Sequence, residues 1–254
     1  MLQTLSDILA AVSPLELALV WGVIVFAAVM RAFTGFGFAL TAVPVFALFM
    51  PPTQAVVLGA SLALSVSLLT LKTYWGKYPV AGMAPMITMA TIGTVIGAAA
   101  LIHISPQQFK LWIGVSVILA CIGLTVYRPT RQHSSKLLGG VSGIASGLLN
   151  GAFAIPGPPV IIYAMAAEPE PERSRALLMI FFLFSAIVAL ASYWVAGFID
   201  VTSLGLFILG FPAMYLGDKL GYRLFRSYGT ALHRRVALVL LFVVGVSITW
   251  NALL

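Results

Sequence analysis

Residues 150–159 read NGAFAIPGPP, the stretch of this chain most hostile to a helix. Proline removes an amide donor and clashes with the preceding turn, and glycine weakens the helix further. A helix interrupted there exposes backbone N–H and C=O groups. The N-terminus of the next helix offers unpaired amides and a partial positive charge, which suit an anion. An earlier stretch, TGFGF at 34–38, carries a similar glycine-bearing break. The candidate binding residues are therefore Thr34, Gly35, Phe36, Gly37 and Phe38 in one break, and Asn150, Gly151, Ala152, Phe153, Pro156, Gly157 and Pro158 in the other. Thr34 and Asn150 supply hydrogen-bonding side chains, with Thr41 and Tyr163 as further candidates, and Phe36, Phe38 and Phe153 supply apolar walls. Arg31 is the charge nearest the first break. It reads either as a topological anchor or as the cationic partner of an anionic substrate.

Other chemistries find little support. The seven acidic residues, Asp7, Glu16, Glu168, Glu170, Glu172, Asp200 and Asp218, fall near the ends of apolar segments, so a carboxylate proton relay has no obvious member. His103, His133 and His233 sit at segment ends or in loops, and no metal set or cofactor is expected. The single Cys121 lies in an apolar run and reads as a small buried residue. No phosphate-binding loop, dinucleotide fingerprint or nucleophile elbow occurs. Gly139, Gly143, Gly147 and Gly151 recur every fourth residue, which equally suits close helix packing. Gly93 and Gly97 read as helix packing as well.

These residues must be positioned by elements built for lipid. Of 254 residues 61% are apolar and 8% charged, against about a quarter charged in an ordinary soluble domain. The expected fold is an all-α polytopic membrane protein. Apolar runs mark ten segments, at 15–30, 36–50, 53–71, 80–102 and 109–127, then 138–150, 153–166, 176–196, 201–217 and 235–253. The first two of each set are short for a crossing, which needs roughly 20 residues. If each short pair enters and returns, thirteen Lys and Arg fall on one face and Lys110 alone on the other. The positive-inside rule selects that arrangement and places both termini on the periplasmic side. The net charge of +7 is then topological, and nucleic acid is not an expected partner.

The same parity inverts the two halves. A shift of 115 positions lays Phe38, Ala39, Pro44, Val45 and Met50 onto Phe153, Ala154, Pro159, Val160 and Met165. The expected architecture is two inverted-topology repeats, 14–127 and 138–254, joined by a basic cytoplasmic linker at 128–137. Each repeat has three long transmembrane helices and a short broken or re-entrant pair, eight to ten segments in all. Inverted repeats with interrupted helices in matching places point to a secondary transporter. Residues 1–13, with Leu2, Leu5, Ile8, Leu9 and Val12 at helical spacing, predict a short interfacial helix.

The break TGFGFALTAVP, its counterpart GLLNGAFAIPGPPVIIYAM, the length and the duplicated layout resemble the TauE/SafE family, also called the sulfite exporter or 4-toluene sulfonate uptake permease family. The second motif is the more specific; the first differs from the family's usual glycine cluster in carrying Phe36 and Phe38. The resemblance implies a bacterial inner-membrane permease for a sulfonate, sulfoacetate or sulfite. The inverted halves predict alternating access around the paired breaks, and the residues leave open coupling to a sodium ion, to a proton carried with the substrate, or no coupling. The resemblance implies no enzymatic step. The competing readings are a non-catalytic membrane scaffold or assembly factor, and a permease for an unrelated small anion.

Overall fold

The computed structural model describes residues 14–34, 37–126, 135–228 and 231–253. The interfacial segment at 1–13, Gly35, Phe36 and most of the basic linker lie outside the described residues.

Among the described residues the chain forms ten α-helices and no strand. They are α1 (Pro14–Thr34), α2 (Phe38–Phe46), α3 (Pro52–Leu69), α4 (Ala84–Leu101), α5 (Pro106–Val126), α6 (Lys136–Phe153), α7 (Gly157–Ala167), α8 (Pro171–Val195), α9 (Val201–Tyr228) and α10 (Ala231–Leu253). Five stretches are long and apolar enough to cross a bilayer: Pro52–Leu69, Val80–Leu101, Pro106–Gly123, Pro171–Val195 and Val201–Leu224. The chain is a polytopic helical membrane protein.

Local sequence sets several helix starts. Ser105 and Gln108 form a reciprocal capping box before α5, each side chain bonding the other's amide at 3.2 and 3.0 Å. The Ser135 hydroxyl accepts from the Leu138 amide at 3.0 Å and opens α6. The Asp200 carboxylate accepts from the Ser203 amide at 2.7 Å and opens α9. Proline stands in the first turn of α3, α4, α7 and α8, where its missing amide costs nothing.

Two boundaries differ from the sequence expectation. Only the second helix of each short pair is truly short: α2 has 9 residues and α7 has 11, whereas α1 has 21 and α6 has 18. At about 1.5 Å per residue the short helices reach only part-way through a bilayer. The glycines of α6 do not interrupt it, because the helix is laid tightly on α4. It continues through Gly151 and Ala152, and the break falls at Ala154–Pro156. In addition, α9 does not stop at Gly217 but runs on through Asp218 to Tyr228.

The main helix pairs join the two halves. α4 packs on α6, α9 on α1, α10 on α5 and α8 on α3. In α4 and α6, a Cβ added to Gly93 would meet the backbone of Ile144 and Leu148, and one added to Gly97 would meet Leu148 and Ala152. Contacts of Gly143 with Met86, Gly147 with Ala90 and Gly151 with Thr94 rise in the same sense, so α4 and α6 are parallel. α1 and α9 are parallel too, with Gly217 against Val25 and Ala28, and Gly221 against Val29 and Ala32. α5 and α10 run antiparallel: Gln107 donates to the Ala252 carbonyl, while Gly114 lies against Gly245 and Thr249. The lack of side chains at these contacts lets the backbones meet, which is how helices associate in lipid.

Candidate functional site

The second break is closed by its own backbone and held by side chains from other helices. Ala154 ends α6 in the left-handed region at φ 56°, a conformation rare outside glycine, and its amide donates to the Asn150 carbonyl at 2.7 Å. The hydroxyl of Tyr193, fully buried on α8, lies 2.8 Å from the Asn150 carbonyl oxygen and 3.0 Å from that of Gly151. The Asn150 side-chain amide donates to Thr94 Oγ1 at 3.2 Å and to the Ser185 carbonyl at 2.9 Å. Asn150 thus ties the break to α4 and α8 and already uses both of its side-chain N–H groups. Its part in the site is placement.

The first break ends at Gly37, whose φ of 97° favours glycine, and α2 starts at the next residue. The first amides of a helix have no partner inside it. In α2 these belong to Phe38, Ala39 and Leu40, and the first bond of the ladder is Thr41 N–H to the Gly37 carbonyl at 3.0 Å. In α7 the equivalent positions are nearly used up. Pro158 and Pro159 have no amide hydrogen, and Val160 donates to the Ser146 hydroxyl at 3.0 Å, leaving Gly157. The electropositive end of the site is therefore the start of α2.

Both breaks border one cavity of about 50 Å³. That is room for several waters or one small oxyanion. Gly37, Phe38, Ala39 and Leu40 line it from the first break, and Asn150, Ala154, Ile155, Pro156 and Gly157 from the second. Arg31 reaches it from α1. Its side of α3 presents Ala60, Ala63 and Ser67, and α8 contributes Met179, Phe182 and Ala186.

Arg31 is 7% exposed, although it stands in the last turn of its helix. Nη2 donates to Thr70 Oγ1 at 3.0 Å, and Nη1 lies 3.5 Å from Asp218 Oδ1. Thr70 donates in turn to the Val66 carbonyl at 2.7 Å. Tyr74 donates to the Ser67 carbonyl at 2.7 Å, and burial pushes its phenol up to about 12, so it stays a donor at physiological pH. Arg175 donates to the Ala32 carbonyl at 3.4 Å, at the C-terminal end of α1. It belongs to the first turns of α8.

Of the thirteen expected residues, Arg31, Gly37, Phe38, Asn150, Pro156 and Gly157 meet at the cavity. Gly151 faces the Thr94 carbonyl of α4. Phe153 packs on Phe109 with ring centroids 5.4 Å apart, Ala152 is buried at the α4 contact, and Pro158 is buried in the first turn of α7. Gly35, Phe36 and the Thr34 side chain lie outside the described residues. Tyr163 lies over Gly139, and the Thr41 hydroxyl is buried without a partner among the described residues. Ala60, Ala63 and Ser67 were not singled out in the sequence, although small residues at helical spacing were a signal for them. Asp218 and Thr70 had no local signal, since they reach Arg31 only through the tertiary fold.

The family model described as "Sulfite exporter TauE/SafE" matches residues 20–248, nearly the whole chain. The chain belongs to the sulfite exporter TauE/SafE family. A curated TauE/SafE-like relative from Cupriavidus necator, named "Probable sulfite/organosulfonate exporter TauE", is 27% identical over 176 residues, covering 66% of this chain and 68% of that protein. Another from Comamonas testosteroni, named "Probable inner membrane transporter protein TsaS", is 28% identical over 163 residues, 62% of this chain and 68% of its own length. No solved structure matches. Membership in the TauE/SafE family assigns this chain to membrane transport, and both relatives carry transporter names.

Proposed function

We propose that this protein is a secondary transporter that carries a sulfur-containing anion across the bacterial inner membrane by alternating access. The observation that carries the reading is the cavity itself. One small space is bordered by two helix breaks, by the first-turn amides of α2 and by a buried arginine. An anion there would find a guanidinium and unpaired amides inside an apolar wall, where such groups act strongly. The names of the relatives suggest sulfite or an organosulfonate as cargo.

We read the two halves, 14–127 and 138–254, as inverted repeats. The pairing of helices supports this: exchanging α1–α5 with α6–α10 turns α4 on α6 into α9 on α1, α4 on α8 into α9 on α3, and α5 on α7 into α10 on α2. The parallel α4–α6 and α1–α9 pairs agree with halves of opposite orientation. Contacts also gather the charges as the positive-inside rule requires. Arg31, Lys77, Arg175 and Asp218 belong to one connected end, through Arg31 with Asp218, Arg175 with Ala32, and Lys77 with Glu172. We assign that end to the cytoplasm and both termini to the periplasm.

The test is purified protein reconstituted in liposomes and offered sulfite, sulfoacetate or 4-toluenesulfonate. Saturable, protein-dependent movement of at least one is expected. Failure to bind or move any of them overturns the reading.

A further inference from the structure

The sequence reading put every carboxylate near a segment end and linked none to the site, but the fold brings one to Arg31. Asp218 is carried on α9 against α1, its side chain 21% exposed and its Oδ1 3.5 Å from Arg31 Nη1. Arg31 is also the cationic side chain that lines the cavity. The two charges offset each other in a place where an unpaired one would be costly. The contact is long for a charge-assisted bond and uses one oxygen, so Asp218 holds the guanidinium loosely. We propose that Asp218 is the resident counter-anion of Arg31, that a substrate anion replaces it there, and that Asp218 takes up one proton each time.

The inference rests on the anion site proposed above. Its charge balance is simple. In the empty site Arg31 is +1 and the Asp218 carboxylate is −1. A monovalent sulfonate adds a second negative charge against a single guanidinium. A proton drawn from water onto the carboxylate oxygen makes the neutral acid, and the loaded site is again neutral. Alternating access requires both empty and loaded carriers to change orientation, and neutral sites make that passage least costly in a medium of low dielectric. The protein would then be an anion–proton symporter.

The surroundings leave Asp218 as the titrating group. α9 packs on α1 and α3, and Arg31 is the charged group that reaches Asp218 from them. α3 (Pro52–Leu69) contains no titratable side chain. Tyr74 and Arg175 act on Arg31 from beyond it. On α9 itself, Lys219 lies over the Tyr215 ring, 4.4 Å from its centroid. The Asn150 and Gly151 carbonyls, which a sodium ion could have used, lie within hydrogen-bonding reach of Tyr193.

The test is calorimetric titration of the full-length protein with methanesulfonate, a small sulfonate that stays ionised throughout. It is run from about pH 5 to about pH 9 in pairs of buffers that differ in ionisation heat. At the alkaline end we expect about one proton taken up per anion, with affinity falling roughly tenfold per pH unit. Asp218→Asn should bind with no proton uptake and a flat pH profile. Proton uptake on the unmodified protein stands even if that variant does not fold. Binding by the parent without proton uptake anywhere in the range overturns the role of Asp218 and leaves the anion site standing. Equal uptake by Asp218→Asn does the same. No binding by the parent overturns the anion site and this inference together.

Discussion

The Tyr193 hydroxyl sits within hydrogen-bonding distance of two successive carbonyls, those of Asn150 and Gly151, in the last turn of α6. The Asn150 carbonyl also accepts from the Ala154 amide, while the Gly151 carbonyl stands at the helix end, past the last bond of the ladder. One phenol from α8 thereby fixes where α6 stops and where the break begins. Tyr193→Phe removes the donor and keeps the ring. We expect a loss of about 1–3 kcal/mol, read as a lower thermal midpoint with helix content unchanged. An unchanged midpoint would show that the hydroxyl does not hold the break.

The glycines of α6 are predicted to be intolerant for a reason separate from binding. A Cβ on Gly147 would overlap the Ala90 carbonyl, whereas one on Gly22 of α1 has nothing within 4 Å. Gly147→Ala should cost about 1–3 kcal/mol by forcing α4 and α6 apart. Gly22→Ala should be neutral or stabilise the helix by up to about 1 kcal/mol. Size-exclusion profiles and thermal midpoints in detergent compare the two directly. Equal behaviour would contradict the parallel backbone contact.

Arg31 and Asp218 should show strong coupling. Arg31→Ala leaves a carboxylate without its partner and is expected to lose both stability and methanesulfonate binding. Arg31→Lys should keep part of the binding, since the charge remains but the planar fork is lost. Combining Arg31→Ala with Asp218→Asn should recover stability but not binding. Binding by the double variant at the parent's level would reduce Arg31 to an anchor.

Filling the cavity separates its use from its construction. Ala63 on α3 and Ala186 on α8 face it from two sides. Ala63→Leu should leave the protein folded, at a cost below about 3 kcal/mol, and lower anion uptake into liposomes at least tenfold. Uptake at the parent's rate would place the transported anion elsewhere.

Much of this was legible because membrane proteins write their constraints openly. Ten helices and two breaks follow from apolar runs interrupted by glycine and proline. Arg31, Gly37, Phe38, Asn150, Pro156 and Gly157 emerged from reasoning about where irregular backbone could survive. The exact end of α6 did not. Gly151 looks like a breaker in one dimension, yet its missing side chain is what admits the Thr94 backbone, and the helix passes through it. Tertiary contact overrode local propensity there. Asp218 stands just past the apolar run 201–217, and nothing local marked it as the partner of Arg31. α9 continues with Gly221 against Val29 and Ala32 of α1 and carries it there.

The distance along the chain between Arg31 and Asp218 shapes how the molecule is made. They are 187 residues apart. When α1 leaves the ribosome and enters the bilayer, its counter-charge has not been synthesised. At about 5–20 residues per second, the arginine waits roughly 10–40 s for it. During that interval its long side chain must reach the headgroup region for water and phosphate. α1 therefore enters the bilayer with its arginine unpaired by Asp218, and that ion pair can close only once α9 lies beside it.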